Sequence, residues 1–131
     1  MDPEPIFLTL AEVLEISRNQ VENYNGQEGI RDISLLTSAL AMPESTFHGQ
    51  YLHNDLYEMA AAYAYHICMN HPFIDGNKRT ALVTALVFLD FNGIQIDDPK
   101  GILYKTMMGV ASGKKKKDYL AGIFRELTTG E

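Results

Sequence analysis

The sequence predicts an all-α fold, a compact helical bundle with a central buried helical hairpin and a short flap. Three observations carry this. Two apolar runs, residues 56–69 and 81–91, are each long enough for a helix and apolar on nearly every face, so both belong in the interior. The stretches around them place apolar residues at helical spacing between cap and stop signals. Neither an internal repeat nor a low-complexity linker divides the 131 residues, so the chain reads as a single domain, 1–131.

The elements follow in order. Residues 1–8 form an extended lead-in. Thr9 and Glu12 make a capping box, with Thr at the cap and Glu three residues later. Leu10, Val13, Leu14, Val21 and Tyr24 then form one helical stripe, interrupted by Ser17. Asn25-Gly26 closes this helix, and residues 27–31 turn. Asp32 or Ser34 caps a short helix carrying Leu35, Leu36, Ala39 and Leu40, which Pro43 stops. Residues 44–53 lack helical periodicity and form a small hairpin or an irregular flap around Gly49. Asn54 caps the long apolar helix, which ends at Asn70-His71-Pro72 because Pro disfavours the α conformation in the residue before it. The second apolar helix starts at about Gly76 or Asn77 and runs to Asn92, with Gly93 as its stop. Ile94-Gln95-Ile96 is short and extended. Asp98-Pro99 reads as a helix start, Asp at the cap and Pro at the first position, for a helix reaching about Ala111. After a break at Ser112-Gly113, the last helix carries Tyr119, Leu120, Ile123, Phe124 and Leu127.

Composition narrows the function classes. The formal net charge of −6 argues against nucleic acid as the main partner. Cys68 is the only cysteine, so no internal disulfide forms; within its apolar helix it reads as a core residue. The acidic, Pro-rich start is not a signal peptide, and the run after Thr80 is too short for a bilayer, so the expected location is the cytoplasm. The basic run 114–117 reads as a solvated helix start. His48 and His53 read as loop residues, His66 as a satisfied core residue, and Tyr57, Tyr63 and Tyr65 as packing residues; none of the histidines shows zinc-ligand spacing.

The chemistry concentrates in residues 71–80, between the two apolar runs. Phe73 plugs the loop into the core, and Gly76 permits backbone geometry that a Cβ forbids. A helix start has unpaired N–H groups and partial positive charge, which make an anion site. Gly76, Asn77, Lys78 and Arg79 add donors and charge there, an inventory suited to a polyphosphate. Asp75 suits Mg²⁺, a hard cation that takes few carboxylates and completes its shell with phosphate and water. His71 suits proton transfer from a hydroxyl near neutral pH. A purely structural hairpin is disfavoured, because cations in a first turn oppose the helix dipole by about 0.3–1 kcal/mol each. A P-loop is a weaker match: Lys78 follows Asn77, the upstream glycine is missing and no strand precedes.

This stretch resembles the signature of the Doc (death-on-curing) toxins, a branch of the Fic fold, His-x-Phe-x-Asp-Gly/Ala-Asn-Lys-Arg. Every fixed position is present, and the resemblance extends from Tyr24-Asn25-Gly26 through Gly29-Ile30-Arg31-Asp32 to Asn92-Gly93-Ile94. It implies a Fic-like bundle and transfer from a nucleoside triphosphate to a protein hydroxyl. AMP-transferring Fic enzymes continue Gly-Asn-Gly-Arg-x-x-Arg; here Lys78 stands at the second glycine and Leu82 at the second arginine, both as in Doc. Doc-like enzymes are kinases. The resemblance therefore implies an ATP- and Mg²⁺-dependent toxin that phosphorylates a threonine of elongation factor Tu and arrests translation. His71 would be the general base. Asp75 would hold Mg²⁺ or orient His71. Gly76, Asn77, Lys78 and Arg79 would bind phosphates, with Lys78 at the reacting centre. No clean Ser/Thr-x-x-x-Glu-Gly/Asn inhibitory motif is present, which implies control in trans by an antitoxin resembling the Phd family. The flap at 44–53 would hold the target segment. The alternatives are a Fic-type AMP transferase and an inactive nucleotide- or protein-binding module.

Overall fold

The computed structural model describes residues 4–129; the expectations for residues 1–3 lie outside that range. Among the described residues, six helices and one two-stranded hairpin follow each other. The first helix, α1 (Leu10–Asn23), begins with the predicted capping box: Glu12 N–H donates to Thr9 Oγ1 at 3.2 Å and Thr9 N–H to Glu12 Oε1 at 2.8 Å. Its inward face is Val13, Ser17 and Val21, spaced four apart. Ser17 thus belongs to the buried stripe rather than interrupting it. Leu10 and Tyr24 are exposed, because they lie at the helix ends, beyond the surface that α1 covers.

Asp32, not Ser34, caps α2 (Ile33–Ala41): its carboxylate accepts from Ser34 N–H and Leu35 N–H. The flap is a hairpin, β1 (Thr46–Phe47) paired antiparallel with β2 (Gln50–Tyr51). His48 and Gly49 both have positive φ, as a tight two-residue hairpin turn requires.

The two apolar runs form the long helices α3 (Leu56–Asn70) and α4 (Asn77–Phe91). Asp55 caps α3 in place of the expected Asn54: it accepts from Glu58 N–H, while Asn54 N–H donates back to the Glu58 carboxylate. Buried alanines at 60, 61 and 64 on α3 and at 81 and 85 on α4 leave room for close packing between them. Tyr63 and Phe88 fill the space that remains, rings 5.2 Å apart, and Tyr63 Oη accepts from Leu8 N–H, which pins the lead-in. Burying each such aromatic contributes roughly 1.5–3 kcal/mol.

Helix α5 (Ile102–Ala111) starts later than Asp98-Pro99 suggested. Residues 98–101 form a turn closed by Gly101 N–H to Asp98 C=O, and the Asp98 carboxylate reaches forward to the N–H groups of Ile102 and Leu103. Asp98 therefore caps from a turn away, and Pro99 lies within that turn. The final helix is α6 (Lys117–Glu126). Ile96 bridges Thr128, fastening the extended 94–96 segment to the chain end. Helix α3 packs against α2, α4 and α6, and α4 against α1 and α5. The loop between α3 and α4 thus projects from the most buried pair in the molecule.

Candidate active site

The α3–α4 loop is built by a few committed contacts. Helix α3 ends as expected, but His71 closes it in the left-handed region, with φ 55° and ψ 52°, rather than in an extended conformation. That geometry is uncommon for a residue with a side chain. Surrounding bonds hold it. Arg31 Nε donates to His71 C=O at 2.7 Å and Arg31 Nη2 to Asn70 C=O at 3.0 Å, so one guanidinium caps the end of α3. Asn77 is buried and its amide clasps the loop from inside: it accepts from Phe73 N–H, and donates to Phe73 C=O and towards His71 Nδ1, each at 3.0 Å. Phe73 is fully buried, as expected of a plug.

Residues 26–32 lie alongside as a latch. Arg31 N–H and Asp32 N–H both donate to Pro72 C=O, and Ile74 N–H donates to Gly29 C=O. Gln27 N–H donates to Asp75 Oδ2 at 3.1 Å. Glycines permit this approach: a Cβ on Gly26 would stand 2.7 Å from Asp75 Oδ2, and one on Gly29 2.6 Å from Ile74 Cδ1.

Helix α4 starts at Gly76 with φ 77° and no side-chain cap, so its first-turn N–H groups are left to face a ligand. A cavity of about 610 Å³ opens here, lined by His71, Asp75 to Arg79, and across from them Tyr104 and Ala111 of α5. His71 and Lys78 are exposed in it. The Arg79 guanidinium lies over the Tyr24 ring at 4.2 Å, and its Nε has no hydrogen-bond partner among the described residues. The N–H groups of Gln27 and then Gly76 hold the Asp75 carboxyl below the usual carboxylate range, so it is ionised at neutral pH.

Six residues the sequence singled out, 71 and 75–79, therefore meet in one cavity, with two qualifications. Asp75 makes no hydrogen bond to His71 among the described residues; the amide of Asn77 orients that ring instead. The side chain of Asn77 is spent on the loop, which leaves its backbone N–H as the group it can offer to a ligand. Among the described residues no three His, Cys, Asp or Glu side chains gather as a metal cage. A single ionised carboxylate beside an uncapped helix N-terminus still fits Mg²⁺, which takes one or two carboxylates and fills its shell from phosphates and water.

A family model described as the Fic/DOC family matches residues 7–89, from the lead-in to the end of α4. The chain belongs to the Fic/DOC family. Among its relatives, the toxin Doc of Mycolicibacterium smegmatis is 40% identical over 73 residues, a match spanning 56% of this chain and 56% of that toxin's length. The protein kinase doc of Escherichia phage P1 is 29% identical over 116 residues, spanning 88% of this chain and 90% of the other. The matched family segment contains the latch and, from the end of α3 through the loop to the start of α4, most of the cavity lining; Tyr104 and Ala111 come from outside it.

Sequence reasoning missed Arg31 as the cap of α3. Its one signal was Gly29-Ile30-Arg31-Asp32 within the resemblance. Cys68 is buried, and burial pushes its thiol pKa up, in keeping with a core residue. His48 is exposed in the hairpin turn. His66 and the end of the basic run depart from expectation. His66 lines a second cavity, and Lys117 is half-buried against it. Among the described residues no helix is long and apolar enough to cross a membrane.

Proposed function

We propose that this chain is a Doc-type toxin that transfers the γ-phosphate of ATP to a threonine hydroxyl of a translation factor resembling elongation factor Tu. The observation that carries the reading is the exposed Lys78 in the first turn of α4, lining the same cavity as His71 at a helix N-terminus with no side-chain cap. A lysine there brings bulk and mobile charge where AMP transfer uses glycine, and Leu82 removes a second phosphate clamp. The names of the two relatives, a toxin and a protein kinase, support the same reading.

His71 takes the proton of the target hydroxyl, and Asn77 fixes the ring that does so. The first-turn N–H groups, Lys78 and Arg79 hold the phosphates and neutralise charge as the γ-phosphoryl group moves. Phosphoryl transfer depends on such positioning and electrostatics. Asp75 would hold Mg²⁺, which when bound supplies further neutralisation of the phosphate oxygens. An antitoxin of the Phd type controls the enzyme in trans, the site of action is the cytoplasm, and the whole of 1–131 acts as one domain.

The test is incubation of the chain with cell lysate and ATP labelled at either the γ- or the α-phosphate. Label from the γ position on a protein the size of an elongation factor is expected, absent with His71→Ala. Label from the α position would replace this reading with AMP transfer. ATP binding without any transfer would leave a binding module.

A further inference from the structure

Among the described residues, every arginine side chain but one meets an oxygen atom. Arg18 pairs with Glu15 and Glu28, Arg125 pairs with Asp55, and Arg31 donates to the carbonyls of Asn70 and His71. Arg79 forms no ion pair among these residues, and its Nε is buried without a hydrogen-bond partner. It is also the third residue of α4, whose N-terminus has no side-chain cap, so the positive end of the helix dipole opposes its charge. An unpaired buried donor adds a desolvation cost. Both costs fall on a side chain that lines the cavity with His71 and Lys78.

The face of Tyr24 holds this guanidinium in place. Arg79 Cζ lies 4.2 Å from the ring centroid, well inside the roughly 6 Å reach of a cation–π contact. Tyr24 is the C-cap of α1, and α1 packs on α4, so the ring is carried by the helix that lies beside Arg79. The ring is 59% exposed, so burial does not account for a tyrosine at this position. Three residues further on, Gln27 N–H donates to Asp75 Oδ2. The short segment 24–27 therefore touches both a cation and the carboxylate of the cavity. A guanidinium stacked by its face keeps its in-plane N–H donors for an anion.

We propose that Tyr24 is a positioning residue for nucleotide binding: its ring holds the Arg79 guanidinium by the face and turns the Nη donors towards a phosphate, a role that rests on the nucleotide reading of this cavity. Tyr24 acts through Arg79 and touches no reacting atom. Phenylalanine offers the guanidinium a similar aromatic face, and leucine offers none.

The test is a double-mutant cycle on the intact chain, read as the Kd for ATP with Mg²⁺ by calorimetry, with urea midpoints measured in parallel. Tyr24→Phe should bind like the wild type. Tyr24→Leu should bind roughly two- to fivefold more weakly, the factor that an exposed cation–π contact supplies. Arg79→Gln should weaken binding by itself, and adding Tyr24→Leu to it should change the Kd no further. Equal affinities for the wild type and Tyr24→Leu, or the same loss from Tyr24→Leu in the Arg79→Gln background, would overturn the proposal, as would a wild-type chain that binds no ATP. The kinase reading fails on a different result: ATP bound with this dependence on Tyr24 but never transferred removes the kinase and leaves Tyr24 its role.

Discussion

At the scale of single residues, the cavity separates exposed side chains from the buried ones that hold the loop in place. His71 is exposed and among the described residues its side chain has one hydrogen-bond partner, Asn77. His71→Ala should therefore fold normally, with an unchanged urea midpoint, while the rate of label transfer falls by about 10²–10⁴. Turnover near that of the wild type would remove His71 from the chemistry. Asp75→Asn keeps acceptor geometry at one oxygen but loses charge, so activity should fall and the Mg²⁺ titration should shift to higher concentration. An unmoved titration would deny Asp75 the metal. Lys78→Gly should lose γ-phosphate transfer, and any AMP transfer it gains should be weak, because Leu82 supplies no second clamp. Mass spectrometry of the modified target decides, since AMP adds far more mass than a phosphate. That these residues share one cavity was legible because they are nearly contiguous in sequence. The role of the Asn77 side chain was not. Its partners are a peptide group and a ring across a loop, and the αL turn at His71 that gathers them leaves no trace in composition.

At the scale of elements, caps and close approaches position the site. The sequence identified every helix among the described residues, and two of its boundary errors lie at caps. Asn54 and Asp55 are both good caps, and only the position of Glu58 relative to the first turn decides between them. Asp98 looked like an adjacent cap because a carboxylate reaching across a whole turn has the same local spelling. The latch was harder to read, since Arg31 meets carbonyls about forty residues away. Gly26 offers a clean test of it, because its φ is ordinary and only space forbids a side chain. Gly26→Ala should push Asp75 away from Gln27 N–H. The strain should cost on the order of 1–3 kcal/mol, as overpacking typically does. The Asp75 pKa should rise towards that of a free carboxylate, and transfer should weaken. Urea denaturation and carboxyl NMR titration would check both; an unshifted Asp75 would mean that the latch does not hold it.

At the scale of the whole molecule, α3 is the spine. It lends one end to the α3–α4 loop and one side to α6. Its burial was legible from its uniform apolarity, but the polar seam with α6 was not. His66 looked like a core residue and Lys117 like one of four solvated cations until the fold brought them within 3.0 Å. That seam makes stability depend on acid. His66 has an ordinary value of 6.5 and is brought down to about 4 in the folded chain, chiefly by burial. Between those values the unfolded chain binds a proton that the folded chain does not. Stability is therefore complete above about pH 6.5 and falls as the pH drops towards 4. Because the ring is only half-buried, the loss should be on the order of 1 kcal/mol after solvent screening. Asp32 and Asp75, whose pKa values are also lowered, lose stability in the same direction at still lower pH, so the comparison must isolate His66. His66→Gln keeps a hydrogen-bond acceptor for Lys117 and cannot titrate. Urea midpoints at pH 7 and pH 4.5 should show the wild type losing more stability than His66→Gln. Parallel losses would show that the His66 proton is not linked to folding.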